Sequence, residues 1–160
     1  MSSLIFVGIF SLKNGHPVHT TVTKRSGEKI NVCHIYYTTA VMCKEPPELP
    51  AELRLFKRTG DCIYPDYTTA LVIAKGYIPA GDVPGDLLLD ALHVAPFPGH
   101  PNQDGYDATL PTFKWPLIFG LGSVTGVSTE LPEGRVAFPV LMSEYIRGSN
   151  KSSTVLYAHS

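Results

Sequence analysis

The six histidines, three cysteines and fourteen carboxylates of this 160-residue chain are its candidates for metal binding and catalysis. The densest group is His16-Pro17-Val18-His19, with Cys33 and His34 further along. Imidazole and thiol donors suit zinc, but Pro17 separates the two histidines and no second close pair follows, so two water-facing histidines beside a turn are expected instead. Asp90 stands three residues before His93 and could orient it, yet no G-x-S-x-G is present and spacing alone makes no triad. Asp104-Gly105-Tyr106-Asp107 lacks the long loop and closing Glu of a calcium site. Asp82, Asp86 and Asp90 recur four apart, but Pro84-Gly85 breaks any helix that would align them. The segment Gly120-Leu121-Gly122-Ser123-Val124-Thr125-Gly126 follows an apolar run, as a dinucleotide loop would. Its third glycine comes one position late and no helix can start within residues 123–134, so a phosphate would find no helix N-terminus. Glycines of a twisted or bulged strand fit better. Cys33, Cys43 and Cys62 form no C-x-x-C, and an odd, widely spaced set points to buried reduced thiols rather than a disulfide framework. These residues give no reason to expect an enzyme, a metal or a cofactor.

The elements that must position side chains come from the pattern of apolar residues and breakers. Hydrophobic residues make up 44% of the chain and charged ones 17%, the balance of a globular protein. No apolar run reaches the roughly 20 residues of a membrane-spanning helix. The apolar run Leu4 to Phe10 has no basic residue before it, so a buried first strand is expected rather than a secretory signal, and the protein is expected inside the cell, in nucleus or cytoplasm. Residues 1–60 hold 8 basic and 4 acidic groups, residues 61–134 hold 2 and 9, and residues 135–160 hold 3 and 1. If the two ends meet, a basic face could oppose an acidic one, but so few cations do not favour a strong grip on duplex DNA.

Gly and Pro, 14 each, punctuate short alternating runs, which is the pattern of a turn-rich β protein. Strands are expected at Leu4–Leu12, closed by an Asn14-Gly15 turn, then at Val18–Lys24 and Lys29–Thr39, forming a meander. Pro50 fits the first turn of a short helix, Ala51–Arg58, stopped by Gly60. Thr68–Ile78 and Asp86–Ala95 read as strands, followed by a long loop at 96–116. Leu117–Val127, Arg135–Arg147 and Ser152–Tyr157 complete the set, with a hairpin tip at Gly148–Lys151. On the long strand, Val136, Phe138, Val140, Met142 and Ile146 share one side with Glu144 as the exception, while Tyr145 and Arg147 share the other. Pro139 marks an edge or a bulge there.

This order suggests a mostly β protein, a Greek-key barrel of the OB type with one short helix, formed as a single domain over residues 1–160. Two segments carry a resemblance to OB-fold proteins of the single-strand nucleic-acid-binding type. Val72-Ile73-Ala74-Lys75-Gly76-Tyr77-Ile78, with Leu87–Val94, resembles an opening OB strand and its partner. Gly120–Val127 with Arg135–Tyr145 and Ser152–Tyr157 looks like the first three strands of such a fold, and the same stretches resemble fungal proteins with OB-like segments. The resemblance implies a non-enzymatic domain that holds single-stranded DNA or RNA by stacking aromatics and neutralising cations. The candidate groups are Tyr145, Arg147 and Lys151 at the last hairpin; Trp115, Phe113 and Lys114 beside the long loop; and Tyr36, Tyr37, Lys24 and Arg25 on the early meander. The alternative is a protein-interaction or self-association module on the same barrel, because unpaired strand edges recruit partners, and the resemblance leaves the C-terminal strands three in number.

Overall fold

A computed structural model describes residues 2–44, 47–58, 60–79, 85–112 and 115–159. Ten strands succeed one another: β1 (Ser3–Thr23), β2 (Lys29–Val41), β3 (Leu49–Phe56), β4 (Thr68–Tyr77), β5 (Leu87–Pro96), β6 (Leu117–Leu121), β7 (Ser123–Val124), β8 (Thr129–Glu130), β9 (Val136–Ile146) and β10 (Ser149–His159). β1 pairs with β4 through Ile5–Leu12 and with β2 through Lys13–Thr23, while β3 runs parallel to β5 and β5 antiparallel to β4. The order β1-β2-β3-β5-β4 therefore returns to β1, a five-stranded ring with one parallel pairing. This is an OB-like Greek-key barrel.

Two expected elements of the ring are corrected. The first is the short helix over 51–58, which is strand β3; no α-helix occurs among the described residues, where the helical turns are 3₁₀ at Asp107–Thr109 and Pro132–Gly134. Ala51 and Leu53 point into the barrel and are fully buried, while Glu52 and Arg54 lie on the outer side, a period of two that overrides the helix propensity of Ala, Glu, Leu and Arg. The second is the Asn14-Gly15 turn. β1 continues through it with a bulge, since Lys13 pairs with Thr38 but His16 pairs with Tyr36. The extra residue flips the alternation: even positions Leu4, Phe6, Phe10 and Leu12 face the core before the bulge, and even positions His16 and Val18 face outward after it. Gly15 is required at the bulge because a Cβ there would lie 2.6 Å from both Tyr37 and Ile63. Beyond the barrel β1 and β2 run on together as an exposed two-stranded arm to the turn at residues 24–28.

The opening OB strand is thus β1, and the Val72–Ile78 segment is β4. Phe6 of β1 lies over Gly76, where a Cβ would collide with its ring. The loop at 96–116 is pinned where the buried Tyr106 hydroxyl accepts the Thr69 N–H at 2.9 Å. β6 pairs with β1 over Ser3–Val7, beyond the stretch of β1 that meets β2. The C-terminal strands form a second sheet of order β10-β9-β7, with β8 also on β9; the single strand expected at Leu117–Val127 is divided between β6, on the barrel sheet, and β7, on this one. Pro139 is not on an edge strand: β9 is central, and its partners β7 and β8 stop on either side of Pro139.

This sheet packs on the barrel through Met142, which joins the core, with Val140 and Val155 against it. Glu144 is turned inward because Lys75 waits there: Lys75 Nζ reaches Glu144 Oε1 at 2.8 Å and Ser3 Oγ donates to Oε2 at 3.0 Å. Burial works to raise the Glu144 pKa, but the hydrogen bonds from Lys75, Ser3 and the Tyr145 N–H outweigh it and leave the carboxyl below its ordinary value.

Candidate nucleic-acid interface

The outer face of β1, β2, β3 and β5 is built in rows by strand register. One row runs His16, Tyr36, Arg54, Asp90. The next runs Val18, His34, Phe56, with Leu92 beyond Asp90 as the bulged residue of β5. In OB folds this side, with its neighbouring loops, is where oligonucleotides lie.

The first row is covered by the protein's own C-terminal hairpin. Arg147 and Gly148 form its two-residue tip, both with positive φ (56° and 82°), between the paired Ile146 and Ser149. That backbone turns Arg147 onto the barrel, where its side chain is 13% exposed. Its guanidinium sits 4.6 Å from the Tyr36 ring centroid, with Nε 3.1 Å from Asp90 Oδ1 and Nη2 3.2 Å from Glu52 Oε1. Nη2 also donates to the Glu52 carbonyl at 3.1 Å, and Arg54 holds the second Asp90 oxygen. Tyr36 meets His16 on a stacked ring pair 6.0 Å apart.

The second row stays open. Phe56 is 54% exposed, and the edge of its ring pair with His34 sets the two centroids 5.8 Å apart. It lies between two clefts and lines both, as does Arg58. One cleft adds His19, Cys33 and Lys57; the other adds Leu92, His93 and Asp61, whose carboxylate accepts the Arg58 N–H at 2.7 Å. Burial holds the His34 imidazole below its ordinary pKa, helped by the Arg54 charge and opposed by Asp90, so the charge on offer beside Phe56 belongs to Lys57 and Arg58.

The candidates named from sequence are dispersed. Tyr36 and Arg147 touch, but in a contact internal to the protein. Tyr145 does not share a side with Arg147, because the left-handed backbone at the tip breaks the alternation; Tyr145 faces away from the barrel and is 60% exposed. Lys151 Nζ lies 5.1 Å from the Tyr77 ring. Trp115 lines a pocket with Phe6, Val41 and Leu87, at the end of β2 about 23 Å of strand away from His34. Lys24 bonds Glu28 at 2.8 Å at the arm tip, with Arg25 exposed beside it. Tyr37 is buried inside the barrel. Lys114 and Phe113 lie outside the described residues. The helical reading of 51–58 hides Phe56, Lys57 and Arg58; as a strand, β3 presents Arg54 and Phe56 on its outer side, with Lys57 and Arg58 directly after its end. Among the described residues no three His, Cys, Asp or Glu side chains group as a metal site, and no helix is long and apolar enough to cross a membrane.

No family model matches the chain. No curated protein matches it either. Among solved structures it is similar to the single-stranded DNA binding protein from Thermus aquaticus, at 10% identity and a TM-score of 0.48, over 100% of this chain and 75% of that one. A deletion mutant of the same protein gives 12% identity, a TM-score of 0.43, and 100% and 76% coverage. At that level of likeness the OB-like architecture stands on strand order and register.

Proposed function

We propose that this protein binds single-stranded DNA or RNA across the Phe56 end of the barrel's outer face. The observation that carries the reading is an aromatic ring, exposed on the second row of an OB-like barrel, flanked by two clefts and by Lys57 and Arg58. A base stacks on Phe56 while the following phosphates run toward the two cations and the arm that bears Lys24, Arg25 and Lys29. With Arg147 closing the first row, the platform is short, and the affinity is correspondingly modest and salt-dependent. Fluorescence anisotropy with labelled oligo-dT and oligo-U at low salt tests it. Phe56→Ala is expected to weaken binding by about 5- to 160-fold, in line with roughly 1–3 kcal/mol per stacked base. Arg58→Ala is expected to lower the salt slope by about one. Binding unchanged in Phe56→Ala, or absent at low salt, would overturn the proposal.

A second reading, self-association, is favoured by one observation: among the described residues β10 pairs only with β9, and this edge carries Leu156 and Tyr157, 65% and 57% exposed. Light scattering that finds a monomer at high protein concentration would remove it.

A further inference from the structure

We infer that Cys33 is a reactive thiol, activated by His19, that exchanges with small anionic disulfides in the cleft between the arm and the end of β3. His19 and Cys33 face each other directly across the β1–β2 ladder, and the Cys33 Sγ lies 3.8 Å from His19 Nε2. A nucleophile and a base are thereby fixed on two paired strands rather than on mobile loops. On the other side of Cys33 is the continuation of β3, where the Lys57 N–H donates to the Cys33 carbonyl at 3.0 Å. Both residues of the pair line a cleft whose other walls include Phe56, Lys57 and Arg58. The cleft gives a reagent room to approach, and its two cations select one that carries negative charge.

The step balances without any group beyond the reagent. His19 Nε2 takes the thiol proton, and the thiolate attacks one sulfur of the incoming disulfide. The S–S bond of the reagent breaks as the new one forms, and the reagent's other half leaves as a thiolate. The imidazolium then returns its proton to that thiolate or to solvent. The reagent is the oxidant, and the product is a mixed disulfide on Cys33.

The chain supplies its own controls. Cys43 and Cys62 are exposed, whereas Cys33 is only partly so; all three thiols meet a backbone carbonyl, of Val41, Gly60 and His34 respectively, and of the three only the Cys33 thiol also meets an imidazole. The folded protein is treated with 5,5′-dithiobis(2-nitrobenzoate), and labelling at each cysteine is followed by peptide mass. Cys33 is expected to react first despite its lower exposure, and His19→Gln to slow it about tenfold or more with Cys43 and Cys62 unchanged. With the cationic disulfide cystamine, the ratio of the Cys33 rate to the Cys43 rate is expected to fall. Labelling that follows exposure, a Cys33 rate indifferent to His19→Gln, or the same ratio with both reagents would overturn the inference. The outcome is independent of nucleic-acid binding.

Discussion

Arg147 shows how one residue sets what the rest of the surface can do. A non-glycine residue with φ of 56° carries backbone strain of order 1 kcal/mol, which its contacts must offset. They do so with a guanidinium fork shared between Asp90 and Glu52 over the Tyr36 ring. Arg147→Ala is therefore expected to lower unfolding stability in urea titration by about 1.5–3 kcal/mol, the scale of one hydrogen bond that involves a charged group, here from Nη2 to the Glu52 carbonyl. Arg147→Lys should recover less than half of that, since an ammonium cannot span both carboxylates. An unchanged denaturation midpoint in Arg147→Ala would show the tip to be undocked. Alternation along β9 correctly marked Glu144 as the exception on its side, and Lys75 is the reason. It failed three residues later at Arg147, because a positive φ at a hairpin tip leaves only one mark in the sequence, Gly148, and the tip expected at Gly148–Lys151 starts one residue late.

Among the elements, β4, β5, β9 and β10 were legible because each is an alternating or apolar run bounded by Pro or Gly. β1 and β3 were not. Asn14-Gly15 is the strongest short hairpin signal, and here it serves a bulge, since Tyr37 and Ile63 press on Gly15 and the chain has a ring to complete rather than a hairpin to close. β3 carries helix-forming residues, and only the long-range pairings with β2 and β5 make it a strand. The OB-like class was thus readable from the run of short strands, while the site was not, because Phe56 sits on the misread element. Close packing between β1 and β4 is testable at this scale. Gly76→Ala drives a methyl into the Phe6 ring and is expected to destabilise the protein by about 1–3 kcal/mol. Phe6→Leu combined with Gly76→Ala should cost less than the sum of the two single changes, because the pair is in contact. Additive losses would mean that the ring and the glycine do not meet.

Across the whole molecule, the second sheet does two things at once. It docks on the barrel by Met142 and the Glu144–Lys75 pair, and its tip covers the row of His16, Tyr36, Arg54 and Asp90 while the row of Phe56 stays open. The docking is pH-dependent with a defined sign. The Glu144 carboxyl is held below its ordinary value of 4.5 in the folded protein, so its contribution is present above that value and is lost as the pH falls through the folded one. Stability curves for wild type and Glu144→Gln should differ most above pH 4.5 and converge as the pH falls below it; a gap that widens in acid would contradict the assignment. The claim on which the functional account rests is the location of the strand. Photocrosslinking of a 5-bromodeoxyuridine-substituted oligo-dT, mapped by peptide mass, locates it directly. Adducts are expected on the segment that contains Phe56, Lys57 and Arg58; adducts confined to Tyr145 and Tyr157 on the second sheet, with none on that segment, would contradict that location.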